Sequence, residues 1–379
     1  MSSEPTEIVT IQSPLADLYA IAVTEVSSPP SSPVPLVTYH GAGIPVRFSE
    51  AAAEHRSVRS AAGLFDFSFR SKFTLTGEHR TRFLHRIISN DVKSLATGRG
   101  VYATLLSAQG RILADFYVYA DADRLWIDTD ADLAAKAMAI LRRYVIGDRV
   151  VIEASDVGAV SLQGPESRRL LRSLFAMGSE TGPALQDELS HAAAAFDGQP
   201  ARVVRRSSTG EEGYEVWLES AALRRFWRRA LQAGIVACGA ESLESLRIEA
   251  GIARYGPDFG EDTLPLEAGL LNALSFSKGC YIGQEIVERA RSRGHVNWKL
   301  VGLRFGPDAT VPVAGQKLRG PSGAEIGEIT SACVSPSLGR PLALGYVRRE
   351  VSEPGTSLNT AAGAAAEVVV LPFVIAGGT

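Results

Sequence analysis

Cysteine is scarce in this chain of 379 residues, which has only Cys238, Cys280 and Cys333. Three scattered thiols cannot form a disulfide framework, and without C-x-x-C spacing they do not predict a self-contained zinc or iron–sulfur site. The six histidines show no H-x-x-x-H pairing. The sequence therefore predicts no metal site of a standard type, and it indicates a reducing, cytoplasmic compartment.

Long hydrophobic runs are also lacking. No stretch approaches the roughly 18 unbroken apolar residues of a membrane span, and the N-terminus carries Glu4 and Glu7 where a secretory signal has basic residues. The phosphate-loop, dinucleotide-binding and nucleophile-elbow motifs are missing. A net charge of −3 argues against a general nucleic-acid binder. These absences predict a protein without a membrane span and disfavour a nucleotide hydrolase of a standard type.

What remains is the composition of a globular protein, 45% hydrophobic and 21% charged, long enough for two or three domains. Strands and helices are mixed without strict βαβ alternation, which favours an α+β fold. From Lys299 onward, short alternating segments predict a small antiparallel β-domain. The Ser/Pro-rich stretch 27–35 predicts that residues 1–37 are a flexible lead-in. The alanine-rich patches 192–195 and 361–366 are interpreted as loops or as composition bias.

The stretch 278–285 (KGCYIGQE) places a single thiol between a glycine and a predicted helix start. Gly279 can adopt a turn without steric cost, and a thiol near Lys278 and a helix N-terminus lies in a positive field that favours thiolate. We therefore predict that Cys280 is a reactive catalytic residue, with Lys278 as a second catalytic residue beside it. The alternative is a small buried cysteine at a tight turn.

The run 288–299 (ERARSRGHVNWK) interleaves basic residues with an aromatic. Such a pattern suits RNA, so a tRNA contact through 289–299 is one interpretation, and it equally suits the polyglutamate tail of folates. A solvated helix face and loop is the third interpretation.

Eight short segments, in order along most of the chain, together resemble the folate-binding superfamily of the glycine-cleavage T-protein, an aminomethyltransferase. They are 63–68 (GLFDFS), 72–77 (KFTLTG), 89–92 (SNDV), 110–115 (GRILAD), 213–215 (GYE), 246–251 (LRIEAG), 262–270 (DTLPLEAGL) and 335–339 (SPSLG). Within that superfamily, KGCYIGQE resembles the YgfZ branch, which is related to iron–sulfur assembly factors.

The resemblance implies a three-domain ring around a folate pocket, closed by a C-terminal β-barrel. The expected domains are a folate-binding domain 1 of residues 38–155 with part of 240–298, an α/β domain 2 of 156–239, and a barrel of 299–379.

The resemblance also implies site residues. Glu215, with Tyr214 in the same Gly-Tyr-Glu segment, would anchor the pterin ring of tetrahydrofolate or a one-carbon-substituted folate. Asp115 stands where the family has the acid that governs the folate nitrogen, and its place in the apolar run ADFYVY predicts a partnered carboxyl or a raised pKa. Its alternative is an edge-strand acid facing water. Asp128 stands where T-proteins usually have Asn, which weakens the case for aminomethyl transfer.

Three further residues belong to this expected pocket. Arg247 would bind the glutamate carboxylate of folate, because a planar fork suits that geometry, although a surface Arg is the alternative. Arg254 and Tyr255 would lie at the pocket mouth.

The main functional hypothesis is a tetrahydrofolate-dependent accessory protein for iron–sulfur cluster assembly or repair, with Cys280 reactive near the folate. Its partners would be iron–sulfur client enzymes such as those that modify tRNA. The alternatives are an aminomethyltransferase or related one-carbon transferase, and a non-catalytic folate-binding module.

Overall fold

The computed structural model describes residues 10–24, 34–175, 185–292, 296–320 and 323–376. Within them lie three β-sheets, a closed barrel and the helices that pack on the sheets. The predicted α+β fold is confirmed, and so is the predicted C-terminal β-domain, which is the barrel.

The strands are β1 Ile11–Gln12, β2 Leu36–Tyr39, β3 Ala42–Pro45, β4 Gly63–Asp66, β5 Arg70–Thr76, β6 Gly100–Leu106, β7 Ile112–Ala120, β8 Leu125–Asp130, β9 Val151–Ser155, β10 Gly158–Gln163, β11 His191–Phe196, β12 Gln199–Arg205, β13 Gly213–Leu218, β14 Val236–Cys238, β15 Trp298–Phe305, β16 Lys317–Arg319, β17 Glu325–Ser335, β18 Arg340–Arg348, β19 Ser357–Thr360 and β20 Ala365–Val369. The helices are α1 Tyr19–Thr24, α2 Ala51–Ser60, α3 Arg80–His85, α4 Ala131–Arg143, α5 Ser167–Phe175, α6 Ser220–Gln232, α7 Ala240–Glu249 and α8 Gln284–Ser292.

Two sheets face each other and leave a cavity between them. One has the strand order β6-β7-β8-β5-β9, and the other has β11-β12-β13-β10-β4-β14. Strand β7 shows how the space forms, because successive side chains point to opposite faces. Ala114 and Phe116 join the core under α3 and α4, whereas Tyr119 packs with Trp217 of the other sheet.

The barrel, in the order β15-β18-β17-β16-β19-β20, closes on itself and leaves no free sheet edge. It is tied to α7 through a buried carboxylate. Glu249 accepts hydrogen bonds from Ser335 (2.5 Å) on β17 and from Ser337 (2.9 Å), and also contacts His55 and Arg59. Burial alone would raise the pKa of Glu249, but these partners lower it to about 2. The ionised carboxylate therefore holds the barrel against the rest of the fold.

Two expectations fail here. Residues 11–24 are not part of a flexible lead-in, because Leu15, Leu18 and Tyr19 are buried in the core of the six-stranded sheet and Tyr19 donates a hydrogen bond to Asp66 (2.5 Å). Residues 27–33 of the Ser/Pro-rich stretch lie outside the described residues.

The second failure concerns the alanine-rich patches. Residues 192–195 lie within β11, whereas 361–364 form the predicted loop and only 365–366 of the second patch lie within β20. Alanine has weak strand propensity, and here pairing with β12 and β19 overrides it.

The predicted domains 1 and 2, divided at residue 155, do not each correspond to one sheet. Strand β4, from the predicted first domain, pairs with β10 and β14 inside the six-stranded sheet. No helix in the described part of the chain is long and apolar enough to cross a membrane.

Candidate functional site

A cavity opens between the two facing sheets, α7 and the segment that follows α7. Its volume is about 100 Å³, and an outer cavity of about 490 Å³ shares lining residues with it. The outer volume lies in the range of small-molecule sites. The inner lining is Tyr39, His40, Phe67, Phe69, Arg70, Tyr102, Asp115, Tyr117, Asp130, Arg206, Ser207, Ser208, Leu243, Arg247, Ile252, Ala253, Arg254 and Tyr255.

Aromatic rings form one wall of this cavity. Tyr117 follows Asp115 by two residues on β7, so both side chains point to the same face of the strand. The ring of Tyr102, from β6, lies 4.9 Å from that of Tyr117. Such a wall suits a flat heterocycle.

Asp115 is the acid that this wall presents, and the predicted site residue does line the cavity. The residue is 9% exposed. Its Oδ2 accepts a hydrogen bond from the Tyr102 hydroxyl (2.8 Å), while its Oδ1 has no partner among the described residues. Burial and the neighbouring Asp130 raise the pKa of Asp115 to about 6, and Arg70 partly offsets them. The predicted raised pKa is therefore present, and the carboxyl is poised to exchange a proton near neutral pH.

Asp128 lies outside the cavity lining, in a closed charge cluster. It is 0% exposed and accepts hydrogen bonds from Arg70 (2.8 Å) and Arg206 (3.0 Å), with Lys72 at 3.3 Å. Burial would raise the pKa of Asp128, but these three cations hold it well below its usual range. Its oxygens face these protein cations and not the cavity in which the sequence predicts a cofactor contact.

Glu215 joins the same cluster and does not line the cavity either. It is 0% exposed on β13. Its Oε1 forms an ion pair with Arg206, and its Oε2 accepts a hydrogen bond from Trp217 Nε1 (3.0 Å). The structure thus places Arg206 between the predicted pterin anchor and the cavity.

Tyr214, predicted beside Glu215 in the cofactor site, points to the opposite face of β13. Its ring is buried in the core of the six-stranded sheet, and its hydroxyl donates to Glu212 (2.8 Å). Strand alternation separates these sequence neighbours.

Arg247 lines the cavity as predicted, but its donors are already used. A guanidinium has five N–H groups. Those of Arg247 bond both oxygens of Glu244 (2.9 and 2.7 Å), Asp258 (2.8 Å), the Ile252 carbonyl (3.0 Å) and Ser331 (2.8 Å). No N–H is left for the folate carboxylate that the sequence assigned to it. Arg247 instead joins α7 to the barrel.

Arg254 and Tyr255 are at the cavity, as expected. Arg254 stacks on the ring of Tyr39 at 4.3 Å and pairs with Glu244 (3.0 Å). The Tyr255 hydroxyl donates to the Leu113 carbonyl (3.2 Å).

Five lining residues carry a buried polar atom that has no hydrogen-bonding partner in the described part of the chain: His40 Nε2, Asp115 Oδ1, Arg206 Nε, Ser207 Oγ and Arg254 Nε. Buried polar atoms are almost always paired. Their convergence on one cavity indicates a polar ligand that supplies both donors and acceptors.

A cation is a weaker candidate for this place. His40, Asp130 and Asp132 bring possible ligand atoms within 4.8 Å of one another, but Arg70 already bonds Asp130 (2.5 Å).

Lys278 is buried and does not reach the cavity. Its ammonium donates to the carbonyl oxygen of His85, the last residue of α3, and to those of Ile88 (2.6 Å) and Asn90 (2.9 Å) just after the helix. Burial lowers the pKa of Lys278 to about 8. The predicted catalytic lysine thus holds the end of a helix.

Cys280 is exposed and lies four residues before α8, but it does not line either part of the cavity. The glycine that this turn requires is Gly283 rather than Gly279. Gly283 has φ +81°, and a Cβ there would lie 2.5 Å from the Ser107 carbonyl oxygen, whereas Gly279 has open space.

The basic run is partly outside the described residues, which omit 293–295. On α8, Arg289 pairs with Glu285 (2.5 Å), and Arg291 stacks on Phe276 at 4.1 Å. These contacts fit a solvated helix face as well as they fit a nucleic-acid surface.

Sequence reasoning missed Arg206, Tyr102, Tyr117 and His40. Tyr117 could have been found from its spacing, since it shares a strand face with Asp115. Arg206 could not, because its partner Asp128 lies 78 residues away in the chain.

Comparisons with known proteins agree with this architecture. The family described as "GCVT N-terminal domain" matches residues 35–278, and the "Glycine cleavage T-protein C-terminal barrel domain" matches 299–374. An aminomethyltransferase of Rubrobacter xylanophilus is 33% identical over 345 residues, 89% of this chain and 90% of the relative. That of Bacillus subtilis is 30% identical over 84% of this chain and 89% of the relative.

A solved structure, glycine cleavage system aminomethyltransferase T from Bartonella henselae, superposes with a TM-score of 0.86. It is 26% identical over 97% of this chain and 98% of its own. This chain belongs to the glycine-cleavage T-protein family, with its C-terminal barrel domain.

Proposed function

We propose that this protein binds tetrahydrofolate in the cavity and transfers a one-carbon unit, as expected for a relative of the aminomethyltransferases. The observation that carries the proposal is the set of unpaired buried polar atoms, above all Asp115 Oδ1, beside an aromatic wall. A reduced pterin has a flat body with N–H donors and carbonyl or ring-nitrogen acceptors along its edges. The cavity lining offers unpaired hydrogen-bond acceptors and unpaired hydrogen-bond donors.

The residues have separable roles in this proposal. The Tyr102 and Tyr117 rings would hold the flat body, and Asp115 would accept or return a proton at Oδ1. Tetrahydrofolate, when bound, supplies the nitrogen that carries the one-carbon unit. Arg254, whose Nε lacks a partner among the described residues, would take the carboxylate role that saturated Arg247 cannot fill.

Calorimetric titration with tetrahydrofolate, kept anaerobic, tests this proposal. We expect wild-type binding that is weakened in Arg254→Met and retained in Arg289→Met, which removes a cation of α8 that does not line the cavity. A coupled assay with lipoyl carrier protein and glycine-derived aminomethyl groups then tests transfer. Absence of folate binding by the wild type would refute the proposal.

A second candidate is the iron–sulfur assembly or repair role of the YgfZ branch. One observation favours it: Cys280 of KGCYIGQE is an exposed thiol, which a client protein could reach. The Cys280→Ser variant should then lose activity of cluster-dependent enzymes in cells while it keeps folate affinity. Transfer that survives Cys280→Ser, without any effect on those enzymes, would favour the one-carbon transferase instead.

A tRNA contact belongs to this second candidate. It predicts salt-sensitive tRNA binding that an Arg289→Glu and Arg291→Glu double variant abolishes. Retained tRNA binding in that variant would remove these two residues from the contact. Both candidates would act in the cytoplasm.

A further inference from the structure

Arg206 occupies the position from which a pterin ring would otherwise reach Glu215. It follows β12, and its guanidinium crosses to the opposite sheet. There it donates to Asp128 (3.0 Å) and lies 4.4 Å from the centre of the Tyr117 ring, while it also pairs with Glu215. Arg206 lines the cavity and Glu215 does not.

The carboxylate of Glu215 is closed off from the cavity by protein groups. One oxygen contacts Arg206, the other accepts from Trp217, and the side chain is fully buried. A ligand N–H could approach Glu215 only if Arg206 moved away. That movement would leave Glu215 and Asp128 with fewer cations in a buried place, which is costly.

Arg206 itself still has a donor to offer. Its Nε is buried without a partner among the described residues, although Nη1 and Nη2 are engaged. A guanidinium donates and never accepts. A ligand edge that meets Arg206 must therefore carry acceptors, such as a ring carbonyl or a ring nitrogen.

We propose that Arg206 is a specificity-determining residue that shields Glu215 and selects the acceptor edge of the bound heterocycle. The donor edge of the ring then faces Asp115, whose unpaired Oδ1 accepts an N–H. This inference rests on the proposed folate function. It differs from anchoring by Glu215, in which the donor edge of the ring would face Glu215 and not Asp115. A ring held this way presents an N–H to the buried group with the raised pKa.

Two variants separate this arrangement from direct anchoring by Glu215. Glu215→Gln keeps the size of the side chain and an oxygen that can accept from Trp217, so we expect the Kd for tetrahydrofolate to stay within about threefold of wild type. Arg206→Met removes the donors, and the loss of a charge-assisted hydrogen bond should raise the Kd at least about tenfold. Calorimetry measures both values.

Direct anchoring predicts the opposite pattern. Glu215→Gln would then weaken binding at least about tenfold, and Arg206→Met would leave the Kd unchanged or lower it by exposing Glu215. Either result overturns the inference while the folate function stands. If wild-type protein fails to bind tetrahydrofolate, the proposed function itself is refuted, and the inference is refuted with it.

A separate control tests whether a loss of binding in Arg206→Met comes from misfolding. Arg206→Met removes a buried cation, so its thermal unfolding is compared with that of the Arg206→Met and Glu215→Gln double variant, in which both members of the pair are neutral. The inference requires the double variant to bind as weakly as Arg206→Met. Wild-type affinity in the double variant would overturn it, because the guanidinium would then contribute nothing to recognition.

Discussion

Two buried aspartates on adjacent strands have opposite electrostatic fates. Asp115 on β7 has a pKa raised to about 6 by burial and by Asp130, whereas the pKa of Asp128 on β8 is held well below its usual range despite burial. Asp128 is surrounded by Arg70, Lys72 and Arg206, while Asp115 accepts one hydrogen bond from Tyr102. Burial alone therefore does not determine reactivity, and the neighbouring charges decide which carboxylate is free to act.

The largest effect should come from neutralising the enclosed member of the pair. Asp128→Asn leaves three buried cations short of a partner, so we expect the free energy of unfolding to fall by about 3–5 kcal/mol. Urea unfolding at neutral pH measures it. Asp115→Asn is the matched control and should lose no stability. A loss below about 1 kcal/mol for Asp128→Asn would mean that the cluster is not what holds these strands together.

Neutralising the open member should act on chemistry instead. If Asp115 exchanges a proton during transfer, Asp115→Asn should reduce the transfer rate about 10²-fold, a typical contribution of a general acid or base. Single-turnover transfer of a one-carbon unit measures it. Asp132→Asn, which removes a nearby exposed carboxylate, should leave the rate within about twofold. An unchanged rate in Asp115→Asn would assign the proton transfer elsewhere.

The sequence predicted the scaffold of this pair better than its chemistry. Strand β7 and helix α4 can be located in the sequence almost to the residue, because the alternation in 112–120 and the helical periodicity in 131–144 are local patterns. The raised pKa of Asp115 followed from an acid in an apolar run. The enclosure of Asp128 and Glu215 did not, because it needs Arg206 to cross between sheets that the local pattern does not relate.

Distance along the chain also explains the failure at the N-terminus. Residues 11–24 show no local sign of order in the sequence. In the fold, Ser13 and Tyr19 donate hydrogen bonds to Asp66, which is 53 and 47 residues away in the chain. Long-range partners of this kind have no local signature. Apolar periodicity could have found Leu15 and Leu18, but the segment is too short for the pattern to stand out.

The pH dependence of stability sharpens the comparison. Because the folded-state pKa of Asp115 is raised from 3.8 to about 6, the native state holds this proton more tightly than the unfolded state. Its ionisation therefore subtracts stability as pH rises from about 4 to about 6. Asp115→Asn should gain on the order of 2 kcal/mol relative to wild type between pH 4 and pH 7. Urea unfolding of both proteins at the two values tests this, and a flat difference would contradict the raised pKa.

The same linkage has the opposite sign for Asp128. Its lowered pKa means that its ion pairs stabilise the fold above about pH 4 and are lost as pH falls further. The stability that Asp128→Asn loses relative to wild type should therefore become smaller in acid. The stability that Asp115→Asn gains relative to wild type should also become smaller in acid, because wild-type Asp115 is then protonated. If the free energies of unfolding of the two variants, each taken relative to wild type, changed with pH in the same direction, the two aspartates would not have oppositely shifted pKa values.

The smallest effect concerns the hydroxyl that contacts Asp115. The Tyr102 hydroxyl donates to Asp115 Oδ2 (2.8 Å) and lowers the pKa of that carboxyl. Removing it in Tyr102→Phe should raise the pKa of Asp115 by about one unit, the equivalent of one hydrogen bond. The midpoint of the pH dependence of transfer should move upward by the same amount. Tyr119→Phe is the matched control, since its hydroxyl lies on the same face of β7 and has no partner among the described residues. A midpoint that moves equally in both variants, or in neither, would mean that the hydrogen bond from Tyr102 does not set the proton affinity of Asp115.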